Sequence, residues 1–270
     1  MSKETEADLR ASALDDLLRG LGITHALSRR VLGPPLAWFA RRFAGEMLEM
    51  DRLVGEQGFG AAADYLLGRF AGPLTVEGGQ HVPADGPLLV VANHCGTVDI
   101  VCLWHLLRHH SDVKIIALDR PILRAVPHLA SRLIYVNGDR RVLDEAAAHL
   151  AGGGTLITFP AGAIEPDPML RPADAVASLE RWHPSTRALL KRVPDLAVLP
   201  VAIGGVISTR WLRRPPARWR RRPYDRELAA ATIQVALRDR SVRPRVVVGP
   251  VGSQDRMATL LHAASEPSAR

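Results

Sequence analysis

The chain has 270 residues, of which 47% are hydrophobic and 23% are charged, and it carries a formal net charge of +7. This composition excludes a disordered chain and predicts one large globular domain, or such a domain with a helical extension. The positive charge favours an anionic partner, phospholipid or nucleic acid, without distinguishing between them. Cys95 and Cys102 are the only cysteines, which excludes a disulfide framework and favours a reducing compartment.

The first 71 residues are predicted to be helical. Leucines at helical spacing predict one helix over residues 8–21, Pro34 and Pro35 are predicted to open a second, and a third runs from Gly60 to Phe70. No segment resembles a signal peptide, and no apolar run approaches the ~20 residues of a spanning helix.

Two interpretations of this helical region remain open. One is a helical layer packed on the main domain. The other is an interfacial helix that inserts Trp38, Phe39 and Phe43 into a bilayer. Its basic residues near the lipid headgroups would be Arg29, Arg30, Arg41 and Arg42.

From Gly72 onward, short apolar runs separated by turns predict strands, with helices between them. The predicted strands are Leu74–Glu77, Leu88–Ala92, Val113–Leu118, Leu133–Val136, Thr155–Phe159, Ala197–Ile203 and Arg245–Val248. Asp225 is predicted to cap a helix that continues through Arg238. The alternation predicts an α/β fold, a mostly parallel mixed sheet flanked by helices, with an N-terminal helical extension. The predicted domains are residues 1–71 and 72–270.

The strand at residues 88–92 ends at Asn93-His94, and a predicted helix follows from Ile100. His94 and Asp99 therefore lie in a strand-to-helix turn at the carboxyl end of a strand, the edge where α/β sheets bind ligands. At hydrogen-bond distance, the carboxylate would fix one imidazole nitrogen and leave the other to accept a proton. The alternative is a capping or packing histidine, because a His-x4-Asp spacing also arises by chance.

A second buried strand, at residues 155–159, ends in the turn Pro160-Ala161-Gly162. A glycine at this point lets the backbone approach a ligand closely and present N–H groups to an anion. An ordinary turn is the alternative interpretation.

Three elements in this order resemble the glycerolipid acyltransferase family, whose best-known members acylate lysophosphatidic acid. They are Asn93-His94-x4-Asp99, Phe159-Pro160-x-Gly162 and the strand Leu199-Pro200-Val201-Ala202-Ile203. The resemblance spans residues 74–251. It implies acyl transfer from a thioester, acyl-CoA or acyl carrier protein, to a hydroxyl of a lysophospholipid or related lipid acceptor.

The resemblance also implies roles for individual residues. His94 would be the general base and Asp99 its orienting partner, and no metal or other cofactor is required. Substrate contacts are implied for Asn93, Phe159, Pro160, Ala161 and Gly162. Two alternatives use the same scaffold: a non-catalytic lipid-binding protein, and an N-acyltransferase with an amine acceptor.

The chain departs from the family at two places. The usual Phe-Pro-Glu-Gly-Thr-Arg-Ser is altered here at Ala161, Ala163, Ile164 and Glu165. An arginine in that motif would pair with an acceptor phosphate. Its absence favours an acceptor other than a simple phosphate monoester, such as a lysolipid with a headgroup.

The second departure is a displaced Asp-Arg pair at the end of the intermediate motif. The displacement leaves Arg140 or Arg141 to reach an acceptor phosphate, with a solvated charged turn as the alternative. Cys95, beside His94, could suggest an acyl-cysteine intermediate. Adjacent side chains seldom point together, so we expect Cys95 to have no such role.

The segment Arg210–Arg222 interleaves arginines with two tryptophans. This pattern is typical of a segment that binds an anionic membrane surface, and a flexible solvated loop is the alternative. Because no nucleic-acid recognition motif accompanies it, no nucleic-acid partner is expected. We expect a peripheral protein on the cytoplasmic face of the membrane.

Overall fold

The structure is a computed structural model that describes residues 3–136 and 141–266. The strands in these ranges are β1 (Thr75–Glu77), β2 (Leu88–Ala92), β3 (Val113–Leu118), β4 (Leu133–Val136), β5 (Thr155–Thr158), β6 (Ala197–Gly204) and β7 (Arg245–Val248). The helices are α1 (Lys3–Gly20), α2 (Ala26–Gln57), α3 (Phe59–Phe70), α4 (Asp99–Leu106), α5 (Pro121–Arg124), α6 (Pro127–Ala130), α7 (Arg141–Ala151), α8 (Pro172–Ala177), α9 (Ser185–Leu190), α10 (Thr209–Leu212), α11 (Pro223–Leu237) and α12 (Met257–Ser265). None of these helices is long and apolar enough to cross a membrane.

The seven strands form one sheet in the order β1-β7-β6-β2-β5-β3-β4. Every neighbouring pair is parallel except β6 with β7. The predicted mostly parallel mixed sheet is therefore confirmed. In the registers of β2, Val91 lies beside Thr158 of β5, and Ala92 lies beside Val201 of β6. Because these three strands are parallel, the loops that follow them meet at one edge of the sheet.

All five residues of β2 are buried, as the continuous apolar run predicted. Leu89 and Val91 pack in one cluster with Leu156 of β5 and with Ala146 and Leu150 of α7. Strand side chains alternate between faces, so Leu88, Val90 and Ala92 lie on the opposite face of β2. They are buried as well, which shows that this face is also covered. Each large apolar side chain buried in this way stabilises the fold by roughly 1.5–3 kcal/mol.

The described residues form two compact units. One contains those of Met1–Gly72, Arg120–Ser131 and Ile207–Val242, and the other contains those of Pro73–Asp119, Arg132–Val206 and Arg243–Arg270. The sheet and the turns after β2, β5 and β6 belong to the second unit. The division of the chain at residue 71 stays a prediction, and the unit that holds α1–α3 also includes two later segments of the chain.

The starts of several helices differ from those that the sequence predicted, including α1, which begins at Lys3 and not at residue 8. Helix α2 begins at Ala26, with Pro34 and Pro35 inside it. Prolines normally end a helix because they lack an N–H, but here the helix continues through both of them. In the segment before them, Arg29 forms an ion pair with Asp15 of α1. Helix α11 begins at Pro223, so Asp225 lies in its first turn and does not cap it. Proline suits the first helical position because its fixed φ is already helical.

Candidate active site

The turn after β2 brings His94 to Asp99, as the spacing predicted. His94 Nδ1 lies 2.8 Å from Asp99 Oδ2. The same oxygen accepts the backbone N–H groups of Cys95 at 2.7 Å and Gly96 at 2.9 Å. Asp99 is fully buried, whereas 29% of the His94 side chain is exposed. The carboxylate thus orients the ring through Nδ1 and leaves Nε2 for a substrate.

The turn after β5 supplies the neighbouring wall of the site. The ring of Phe159 stacks on the imidazole of His94, with 4.5 Å between centroids and 27° between planes. Gly162 has φ 61°, its N–H donates to the Phe159 carbonyl at 3.0 Å, and the glycine is exposed. Pro160 is buried and Ala161 is half-buried. The two predicted turns therefore meet at one site, and the substrate contacts expected for Phe159, Pro160, Ala161 and Gly162 stay predictions.

Asn93, the residue directly after β2, is buried. Its side chain is 1% exposed. Its amide nitrogen donates to the Ile203 carbonyl at 2.9 Å, and its amide oxygen accepts the Ile203 N–H at 2.8 Å. Asn93 therefore joins the end of β2 to β6, and its expected contact with substrate stays a prediction.

The two arginines expected to reach an acceptor phosphate are only partly described. Arg140 lies outside the described residues. Arg141 is exposed at the first position of α7. Their predicted contact with an acceptor phosphate stays a prediction.

The electrostatics of the site act on His94 in opposite directions. Burial lowers the pKa of His94, but the charge of Asp99, its hydrogen bond, and the charge of Glu165 outweigh burial, so the pKa is raised above the ordinary value. Burial, with the nearby carboxylates, raises the pKa of the Cys95 thiol well above its ordinary value. Cys95 stays protonated and points its sulfur to the Ile203 carbonyl at 3.4 Å, which agrees with the expectation that it is no nucleophile.

Sequence reasoning missed one residue that contacts His94 directly. Glu165 accepts the backbone N–H of His94 on Oε2 at 2.9 Å, and the Glu165 N–H donates to the His94 carbonyl. The sequence analysis treated Glu165 only as a departure from the family pattern. A signal was present in Glu165-Pro166-Asp167-Pro168, where two carboxylates alternate with prolines after a buried strand.

The fold and this site define the class of protein. It is an α/β protein with a histidine–carboxylate pair at the carboxyl edge of its sheet. Residues 73–204 match the family model described as Acyltransferase. This match bears out the resemblance to an acyltransferase family over that segment.

Among solved structures, the chain is similar to the 1-acyl-sn-glycerophosphate (LPA) acyltransferase PlsC from Thermotoga maritima. The two are 17% identical with a TM-score of 0.40, and the match covers 84% of this chain and 78% of that one. No curated protein matches the chain.

Proposed function

We propose that the protein transfers a fatty acyl group from an acyl thioester to a hydroxyl of a lysophospholipid or related lipid, with His94 as general base. The observation that carries the proposal is the 2.8 Å contact between His94 Nδ1 and buried Asp99, on a ring that is still partly exposed. A hydroxyl is a poor nucleophile near neutral pH, so the reaction needs a base positioned in this way.

The proposed reaction proceeds in two steps. His94 Nε2 accepts the proton of the acceptor hydroxyl while the oxygen attacks the thioester carbonyl carbon. The tetrahedral intermediate then collapses, so that the C–O bond remains, the C–S bond breaks, and the departing thiolate takes the proton from the imidazolium. Asp99 stabilises the imidazolium between the two steps. The thiol carrier would be CoA or acyl carrier protein.

The acceptor proposed is a lysolipid that bears a headgroup. The turn Phe159-Pro160-Ala161-Gly162 is followed by Ala163 and Ile164, where the family pattern has threonine and arginine. The turn itself therefore contributes no arginine or lysine to pair with a phosphate monoester. An amine acceptor remains the alternative, because the same base would serve an ammonium group. Arg140 and Arg141 are proposed as contacts for a phosphate within a larger headgroup.

We propose that the protein binds an anionic membrane surface through α2 and the segment Arg210–Arg222, on the cytoplasmic face. Leu27, Val31 and Trp38 are 74%, 63% and 52% exposed. Their spacing places them on one face of α2. The Arg42 guanidinium lies 4.8 Å above the Trp38 ring. This arrangement suits an interfacial helix with apolar residues in the acyl region and cations near the headgroups.

The structure supports a different set of bilayer-inserting residues from the set that the sequence predicted. Phe43 packs against Phe70 of α3 with 6.4 Å between ring centroids, so the proposed apolar face uses Leu27 and Val31 in its place. Trp38 is kept. In the basic segment, Trp219 is exposed, whereas the Trp211 indole N–H donates to Asp239.

The test is thiol release from acyl-CoA and from acyl carrier protein with a panel of lysolipids and amines. We expect release with at least one headgroup-bearing lysolipid, and a loss of about 10²–10⁴-fold in His94→Ala. His109→Ala is the matched control, because His109 is an exposed histidine outside the site. Absence of thiol release with every acceptor, together with tight lipid binding, would support the non-catalytic alternative.

A further inference from the structure

We propose that Glu165 is a positioning residue that holds the peptide of His94 in place and sets a second buried negative charge beside the imidazole. The inference rests on the proposed role of His94 as general base. Asp99 acts on the ring, whereas Glu165 acts on the backbone that carries the ring.

The contact between the two residues is reciprocal. Glu165 Oε2 accepts the His94 N–H at 2.9 Å, and the Glu165 N–H donates to the His94 carbonyl. Glu165 itself is 2% exposed. Its other oxygen, Oε1, accepts Ser178 Oγ–H at 2.6 Å and Trp182 Nε1–H at 2.7 Å. The carboxylate is therefore held by three donors, and hydrogen bonds to an ionised acceptor are roughly twice as strong as neutral ones.

The loop of Glu165 is anchored independently of His94. Two residues on, the fully buried Asp167 accepts the N–H groups of Gly205 and Val206, each at 2.9 Å. Pro166 and Pro168 on either side of Asp167 have a restricted φ. The loop after β5 is thus fixed to the end of β6. Because Asp167 holds this loop, the position of Glu165 does not depend on its contact with His94. Glu165 can therefore determine where His94 lies.

The charged groups that face His94 are Asp99 at the start of α4 and Glu165 in the loop after β5. Phe159 and the protonated Cys95 bring no charge. Both carboxylates raise the pKa of His94 against the effect of burial. Removal of the Glu165 charge should therefore lower the pKa of His94 and shift the acid limb of the rate profile to lower pH.

The experiment compares Glu165→Gln with Glu180→Gln. The first keeps the size of the side chain and one acceptor oxygen but removes the charge. The second removes an exposed carboxylate from a neighbouring segment of the same unit. For Glu165→Gln we expect kcat to fall about 10–100-fold with little change in KM, because small displacements of a base are costly. We also expect the acid limb of kcat/KM to move to lower pH. The control should match the wild type.

Titration of the His94 ring by NMR gives a readout that does not need turnover. A lower His94 pKa in Glu165→Gln than in the wild type supports the inference even if no lysolipid is acylated, in which case only the proposed function fails. An unmoved titration and acid limb overturn the inference, even if Glu165→Gln loses activity or stability. If Glu165→Gln does not fold, Trp182→Phe removes one donor to the carboxylate and keeps its charge. A lower kcat with unchanged KM then supports the inference, and a wild-type kcat overturns it.

Discussion

His94 Nδ1 and Asp99 Oδ2 are 2.8 Å apart because the chain turns back between the end of β2 and the first residue of α4. The same oxygen accepts the N–H groups of Cys95 and Gly96. One carboxylate oxygen therefore both closes the turn and orients the imidazole. The geometry of the turn and the chemistry proposed for His94 depend on the same group.

Asp99→Asn should lower activity and change its pH dependence. The charge of Asp99 and its hydrogen bond oppose the effect of burial and raise the pKa of His94. A general base must be unprotonated, so wild-type activity should increase with pH through a pKa that lies above the ordinary value of histidine. In Asp99→Asn the acid limb should lie at lower pH, and kcat should fall at least about 100-fold. Steady-state rates of thiol release across pH check this, and an acid limb that stays in place would contradict it.

Asn93→Ala should destabilise the fold without weakening substrate binding directly. The substitution leaves the buried N–H and carbonyl of Ile203 without the Asn93 amide. Loss of buried hydrogen-bond partners costs about 1–3 kcal/mol. Urea denaturation should show this decrease in the free energy of unfolding, while KM at a temperature well below unfolding stays close to wild type. A large rise in KM with unchanged stability would instead show that Asn93 contacts the substrate.

Gly162→Ala should destabilise the turn after β5 by its backbone conformation alone. A Cβ at this position would meet no heavy atom within 4 Å, but the φ of 61° is one that L-residues rarely adopt. The expected cost is about 1–2 kcal/mol in the free energy of unfolding. Gly45→Ala is the matched control, because Gly45 lies inside α2 with equally open space. There alanine should stabilise by roughly 0.5–1 kcal/mol. Equal effects at both glycines would exclude the backbone explanation.

The combined change of Leu27, Val31 and Trp38 to serine should weaken binding to vesicles that contain anionic lipid. These side chains make up the exposed apolar face of α2. Their loss should lower the vesicle-bound fraction at least about tenfold, since each buried apolar side chain contributes more than 1 kcal/mol. Val251→Ser, another exposed apolar position, serves as the control.

Flotation of vesicles, with a gel shift on duplex DNA at the same salt concentration, measures this effect. Vesicle binding that is unchanged in the triple variant would contradict the role of α2. Tight DNA binding without vesicle binding would favour the nucleic-acid alternative that the composition left open.

Local sequence patterns predicted most elements of the fold and the two residues at the centre of the site. The strands were visible because buried runs of four to eight apolar residues have a local signature. His94 and Asp99 could be paired because they lie five residues apart, within a single turn. Helix starts were less well determined: α2 continues through Pro34 and Pro35, and α11 begins before Asp225.

Only the tertiary structure decided which distant residues join that pair. Glu165 holds the peptide of His94 from 71 residues further along the chain, and Asn93 bonds to Ile203 from 110 residues away. Spacing along a sequence carries no information about such contacts, because they depend on the order of the strands, which places β5 and β6 on either side of β2. The sequence by itself determined the local turn that makes a histidine–aspartate pair, whereas the sheet determined which buried carboxylate and which amide support it.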